Sequence, residues 1–425
     1  MTGTNRVRPD GDRLSLLYRL SQTFNSSLDL DEVLNLVMDE IIAVTRAERG
    51  FVMLQETGGK LVFRVARGLD HGAIDDPQFQ VSRSVVDRVA QEGQPILTND
   101  AQNDERFSAR QSVMSLGLRS ILCVPLNIKD SVLGVVYVDN RFQCGIFDQA
   151  DLDLLAAIAS SAAIAIENAR LYQVAIEKGR LERELQMAHE VQAGLLPHGT
   201  PQIPGWEIAT QWRPARTVAG DFYDFIPLER QQLGLVIADV SDKGMAAALF
   251  MALTRSIVRA SMGHAPSPAA GITYANRLIC DDATGGMFVT LFYAQLNPAT
   301  GACIYVNAGH NPPLLYRQSD QPEQGPLTEL TPTGGALGVV AEWSFEQRSI
   351  HLGPGDFLLF YTDGVTDATD AQGQFFGLER LRRLLVEHGS KPAGEILAAL
   401  ERAIDDFAGL PVQFDDIAIL VVKRQ

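Results

Sequence analysis

Acidic residues recur at the ends of apolar runs, and this constrains the fold of the 425-residue chain more than any other feature. Asp221 and Asp224 lie in Gly-Asp-Phe-Tyr-Asp, and Asp239 follows Leu-Val-Ile-Ala. Asp363 follows Leu-Leu-Phe-Tyr-Thr and precedes Gly364, while Asp415 and Asp416 stand directly before Ile417. Runs of this composition form buried strands, and a buried carboxylate is costly unless a positive charge waits for it. One such Asp alone reads as a turn residue. Several strands that bring theirs to one place make an all-oxygen site for a hard cation, Mg²⁺ or Mn²⁺. The sequence offers no soft-metal site, paired Cys/His nucleophile or Walker-type loop beside it. The chemistry that fits is hydrolysis of a phosphoryl group by water activated between paired cations.

Charge and composition narrow the partners. Lys and Arg number 36 against 52 Asp and Glu, a net charge of −16, which disfavours nucleic acid because duplex binding needs a basic surface. A hydrophobic share of 46% with 21% charged residues is ordinary for a globular chain, and the length predicts two domains. Cys123, Cys144, Cys280 and Cys303 show no Cys-x-x-Cys spacing and read as buried free thiols in a reducing cytosol. Residues 1–12 are polar, so no secretory signal is expected, and the nearly apolar stretch 154–166 falls short of the roughly 20 residues a bilayer needs. A soluble cytoplasmic protein with no membrane partner is expected.

Two mixed regions flank a strongly helical one. Residues 50–55 with 61–66, and 120–128 with 132–139, read as strand pairs around turn signals. A short helix is expected over 82–90, between Ser82 as N-cap and Gly93, and a long one from Asp148. Leu171, Val174, Lys178, Leu181, Leu185, Ala188, Gln192 and Leu195 recur at spacings of three and four, the seam of a coiled coil that predicts a homodimer. The alternative is an amphipathic helix packed on its own domain. Pro197 and the segment 199–205 end it. Beyond, strands are expected at 233–238, 288–296, 302–307, 357–361 and 417–422, and helices at 245–261, 378–387 and 393–407, an α+β layered domain.

Six segments then resemble, in order, the bacterial PP2C-like phosphatases of the SpoIIE/RsbU type. They are Val-Ala-Gly-Asp-Phe-Tyr-Asp (218–224), Ala-Asp-Val-Ser-Asp-Lys-Gly (238–244), Met-Phe-Val-Thr-Leu-Phe-Tyr (287–293), Asn-Ala-Gly-His (307–310), Tyr-Thr-Asp-Gly (361–364) and Gln-Phe-Asp-Asp-Ile (413–417). Leu195-Leu196-Pro197 is similar to the end of that family's linker helix. The resemblance implies a PPM-type αββα sandwich around two Mn²⁺ or Mg²⁺ ions. Asp239 would bridge both ions, the Val240 carbonyl would join one, Asp363 and Asp415 would hold one, and Asp221 would act through water; Asp416 would orient rather than ligate. Asp239 and Asp363 are thus the residues on which catalysis is expected to depend. Ala219 and Asp242 stand where the motifs usually carry Gly. Arg213 and Arg216 are candidates for the substrate phosphate, with solvated loop charges as the alternative. His310 reads as structural, with proton donation as the alternative.

Residues 14–172 resemble a GAF sensor module, through 30–53, 120–126, 134–140 and 164–171. The cyclic-nucleotide pattern is not matched, since 103–107 lack its Lys, and small-molecule sensing and ligand-free dimerisation both stay open. The expected organisation is a GAF α/β domain with an antiparallel sheet over 14–172, a coiled-coil linker over 173–200 and a phosphatase domain over 201–425. The expected activity is metal-dependent protein-serine/threonine phosphatase, acting on a phosphorylated anti-sigma-factor antagonist or similar regulator. The rivals are a catalytically silent binding scaffold and a nucleotide cyclase or phosphodiesterase.

Overall fold

A computed structural model describes residues 9–425 except 57, 69, 71, 75–80, 102–103, 105–117, 284, 319–325 and 410–414. Most of the 103–107 segment, and Gln413 and Phe414 of the last motif, therefore lie outside the described residues. The chain divides into two compact units, Met1–Leu181 and Glu182–Gln425.

The first unit runs α1 (Pro9–Phe24), α2 (Leu30–Thr45), β1 (Arg49–Gln55), β2 (Leu61–Gly68), α3 (Arg83–Glu92), β3 (Ile96–Thr98), β4 (Ser120–Ile128) and β5 (Ser131–Asn140), then enters α4 (Gln149–Leu195). The strands form one antiparallel sheet in the order β2-β1-β5-β4-β3. Alternation along β4 assigns the two faces: Leu122 and Val124 pack with Val37, Ile41 and Ile158 of α2 and α4, whereas Ile121 and Cys123 pack with Val85 and Val89 of α3. Asp148 and Asp151 start α4 reciprocally, each carboxylate accepting the other's backbone N–H at 3.0 Å. Ser82 stands at the N-cap of α3 but makes no side-chain cap bond, and Gly93 ends that helix at φ 64°.

One ion pair is buried inside this sheet. Arg49 on β1 donates from Nε and Nη2 to the two Asp139 oxygens on β5, at 2.8 and 2.6 Å. Burial raises the Asp139 pKa and Arg49 opposes that rise. Arg49→Met strands the carboxylate and is expected to cost about 3–5 kcal/mol, whereas Arg49→Met with Asp139→Leu is expected to recover most of it. Urea unfolding of the single and double variants measures both.

α4 is continuous over the predicted linker. Leu171, Val174 and Leu181 are 57%, 60% and 55% exposed, as an unpaired seam would be. At its C-terminal end the stripe turns inward, with Gln192 and the following Leu196 buried in the second unit. Gln192, read from sequence as part of a coiled-coil seam, packs on its own unit, since such a periodicity serves a sheet as well as a second helix.

The second unit comprises β6 (Trp206–Arg213), β7 (Phe222–Pro227), β8 (Leu233–Val240), α5 (Met245–His264), α6 (Pro268–Asp282), β9 (Val289–Leu296), β10 (Ala302–Ala308), β11 (Leu314–Tyr316), β12 (Leu327–Glu329), β13 (Arg348–His351), β14 (Phe357–Tyr361), α7 (Asp363–Thr366), α8 (Gly377–His388), α9 (Ala393–Ala408) and β15 (Ile417–Arg424). Two antiparallel sheets result, β13-β10-β9-β8-β7 and β12-β11-β14-β15-β6. Leu235, Ile237, Phe292, Phe360 and Leu420 fill the space between them. α5 and α6 cover the outer face of the first sheet, and α8 and α9 that of the second. This is the expected αββα sandwich. A hairpin turn at residues 297–301 joins β9 to β10, with Asn297 Oδ1 accepting from the Ala299 and Thr300 N–H groups.

α4 and α5 each contain a window long and apolar enough to cross a membrane. Both are packed against sheets here, and the apolar residues of α5 lie largely in the core beside β7 and β8. Of the cysteines, Cys123 and Cys303 are buried as expected, but Cys144 is exposed and Cys280 half-buried.

Candidate metal centre

Strand alternation decides which carboxylates meet. In β8, Leu235 and Ile237 face the inter-sheet space, so Asp239 at its end has the same facing. In β7, Tyr223 and Phe225 face that space, which places Asp221 with them and Asp224 on the opposite face. The pairing of Phe222 with Ala238 then brings Asp221 beside Asp239. From the second sheet, β14 runs out through Thr362 into Asp363, and β15 begins just after Asp415 and Asp416. Their antiparallel register, Tyr361 to Ile419, puts these residues at one end.

The two sheets are stapled there. Asp416 accepts from the Ala215 and Gly220 N–H groups, both at 2.7 Å, and is thereby spent on backbone. A Cβ on Gly364 would meet the Asp416 carbonyl, so only glycine lets the Asp363 turn approach this closely. Asp221 is 2% exposed, and its Oδ2 has no hydrogen-bond partner among the described residues. Burial first, then repulsion from Asp239, raises the Asp221 pKa well above the ordinary value. Asp239 is raised as well, chiefly by burial, with Asp363, Asp415 and Asp416 repelling it. Burial, then Asp415 and Asp367, push Asp363 up to about 6. Carboxylates gathered against their own repulsion, one with an orphaned buried oxygen, suit a hard cation. As they stand, no three His, Cys, Asp or Glu side chains among the described residues are closed into an ion-holding group.

The remaining candidates separate. Asp224, grouped with the others by sequence, faces α5 and is neutralised by Arg255 at 3.2 Å and Arg259 at 3.0 Å. Arg213 pairs with Asp405 of α9 at 2.7 Å, whereas Arg216 is exposed near the loop of Gly244. Val240 ends β8 opposite Val289. His310 is 2% exposed, shares a 2.9 Å hydrogen bond with Thr290 through Nδ1, and is pushed by burial down to about 4. It is a neutral buried strut. Asp242 is exposed with φ 76°, the backbone region that favours glycine and that Asp tolerates, which accounts for the residue type usual there.

Gln192 is the residue whose part the sequence hid. Its Nε2 donates to the Ala219 carbonyl at 2.6 Å and its Oε1 accepts from the Ala219 N–H at 3.0 Å, two residues before Asp221. Nearby, His189 stacks on Trp212 at 5.8 Å, and Trp212 Nε1 donates to the Asp221 carbonyl at 2.8 Å. A polar residue inside an apolar stripe was the only signal. Gln192→Ala leaves both Ala219 groups unsatisfied, and denaturant unfolding is expected to show a loss of about 2–4 kcal/mol.

Comparisons with known proteins agree with this architecture. Residues 229–425 match the family model of Stage II sporulation protein E (SpoIIE), and residues 27–167 match that of the GAF domain. Protein IcfG of Synechocystis sp. is 32% identical over 276 residues, covering 59% of this chain and 43% of IcfG. Phosphoserine phosphatase RsbU of Bacillus subtilis is 28% identical over 249 residues, covering 58% of this chain and 71% of RsbU. The chain thus spans less than half of IcfG and about seven-tenths of RsbU. Among solved structures, the SiaA-PP2C domain of Pseudomonas aeruginosa aligns with a TM-score of 0.52 at 20% identity, over 59% of this chain and 99% of that one, a likeness of fold.

Proposed function

For a chain that joins a GAF domain to a SpoIIE-type PP2C-like domain, we propose a metal-dependent protein-serine/threonine phosphatase governed by its GAF domain. The observation that carries this is the convergence of Asp221 and Asp239 from one sheet with Asp363 and Asp415 from the other at one end of the sandwich. Asp239, Asp363 and Asp415, with the Val240 carbonyl, would hold two Mn²⁺ or Mg²⁺ ions, and Asp221 would act through water. When bound, the ions supply a nucleophilic water at neutral pH and neutralise charge on the phosphoryl oxygens. Asp416 holds the Ala215 and Gly220 peptides beneath the site, and exposed Arg216 would meet a substrate phosphate.

The substrate would be a phosphorylated regulatory protein, of the anti-sigma-factor-antagonist kind that the family resemblance implies; similarity to the phosphoserine phosphatase RsbU supports a phosphoserine substrate. Cytoplasmic location fits such a partner. The first unit carries a cavity of about 330 Å³ between β1, β2 and α3, lined by Met53, Lys60, Leu61, Phe63, Val81 and Val86, which suits a small ligand. The exposed Leu171, Val174 and Leu181 of α4 support a homodimer through the linker.

The test is phosphate release by the full chain from a phosphoserine protein and from p-nitrophenyl phosphate, with Mn²⁺ and with EDTA. Release that depends on Mn²⁺ is expected. Its absence from both substrates would leave the scaffold role, and turnover of a cyclic nucleotide or nucleoside triphosphate instead would favour the cyclase or phosphodiesterase.

A further inference from the structure

Lys243 lies in the loop between β8 and α5, and its Nζ is 2.9 Å from Asp415 Oδ2. The two residues come from different sheets: Lys243 follows β8 of the first, and Asp415 shortly precedes β15 of the second. The loop is shaped for this contact. Asp242 at φ 76° and Gly244 at φ 90° flank Lys243 in left-handed backbone, turning it back over the carboxylate end just before α5 begins. The same positive charge is felt at Asp363, which with Asp415 forms the pair proposed above to hold one ion. An ammonium therefore already stands on one of those two ligands, within electrostatic reach of the other.

We infer that Lys243 is a built-in counter-cation of the carboxylate cluster, which a divalent ion must displace from Asp415 in order to bind. The inference rests on the metal centre proposed above. Without an ion, the ammonium offsets repulsion among Asp239, Asp363 and Asp415 and helps to keep two sheets that converge on like charges together. The displacement is feasible, because the lysine side chain is 41% exposed on a flexible stem and leaves readily for water. A divalent ion outweighs it, having twice the charge and the ability to take several oxygens at once. Lys243 thus lowers the affinity for the ion while it stabilises the metal-free protein.

Calorimetric titration of Mn²⁺ into the full chain, paired with thermal unfolding in EDTA, tests this on wild type, Lys243→Met, Lys243→Arg and Asp415→Asn. Lys243→Met is expected to bind Mn²⁺ about two- to fivefold more tightly, the range for loss of a half-exposed ion pair, and to melt earlier than wild type in EDTA. Lys243→Arg, which keeps the charge, is expected to stay near wild type in both. In an Asp415→Asn background the gain in affinity from Lys243→Met should shrink, because the direct contact is already gone. Equal or weaker Mn²⁺ binding by Lys243→Met overturns the competition and leaves the metal centre standing. No Mn²⁺ binding by the wild type overturns the metal centre and the inference together.

Discussion

Asp239→Ala is expected to lower Mn²⁺-dependent release of phosphate from a phosphoprotein about a thousandfold or more, while the chain stays folded. A thousandfold corresponds to about 4 kcal/mol of transition-state stabilisation, a modest part of what paired cations supply to phosphoryl transfer. Asp239 is the residue to remove because it ends the strand that both neighbouring carboxylate groups face: Asp221 lies beside it, and Asp363 and Asp415 repel it across the sandwich. The stability effect should have the opposite sign. Its carboxyl is raised by burial and by its acidic neighbours, so removing it relieves a charge that folding brings into a poor environment. In EDTA the variant is therefore expected to unfold at a higher temperature, by several degrees if about 1–2 kcal/mol is recovered. Phosphate release and a melting curve on one preparation check both halves. Unchanged activity in Asp239→Ala and in Asp363→Ala would end the metal assignment. A loss of activity with a lower melting temperature would mean that the residue holds the fold rather than the ions.

Val174→Glu together with Leu181→Glu is expected to convert a dimer into a monomer, weakening self-association at least about a hundredfold. Both side chains are more than half exposed on a helix whose neighbouring turns are exposed as well. Fully burying a valine or leucine side chain is worth about 1.5–3 kcal/mol, and the variant removes two such side chains per chain from a two-fold seam while adding like charges to it. Light scattering measures the mass directly. The charge change leaves the catalytic residues in place, so the monomer should still hydrolyse p-nitrophenyl phosphate with Mn²⁺. A wild-type chain that is a monomer at every concentration would remove the linker dimer from consideration.

How much of this was legible without coordinates follows from the length and burial of each run. β4 and β14 have the bounds predicted for them, because largely apolar runs closed by turn residues leave little freedom of assignment. β11, β12 and β13, of three or four residues, carry too few positions for any period to show. α6 escaped although Ser267 caps it and Pro268 opens it, since its apolar face is broken by small and polar residues. The family motifs supplied the ligand candidates, but standing together in Gly-Asp-Phe-Tyr-Asp grouped Asp224 with Asp221. Three residues apart on a strand means opposite faces, and only knowledge of which face the second sheet covers shows that Asp221 enters the site while Asp224 holds Arg255 and Arg259.

The sequence by itself determined the parts: a sensor-like α/β region, a long helix, a sandwich domain, and the carboxylates that strand ends and motif order single out. These are properties of local composition and spacing, which a chain carries along its length. The tertiary structure decided the partners. It turned Gln192 from a flaw in a helical stripe into a clamp on the Ala219 peptide, bound Arg213 to Asp405, buried His310 as a neutral strut, and set Lys243 on Asp415. Each of these contacts joins residues far apart in the chain, and whether a charge is paired or a buried polar group satisfied depends on which neighbour the folded backbone brings to it.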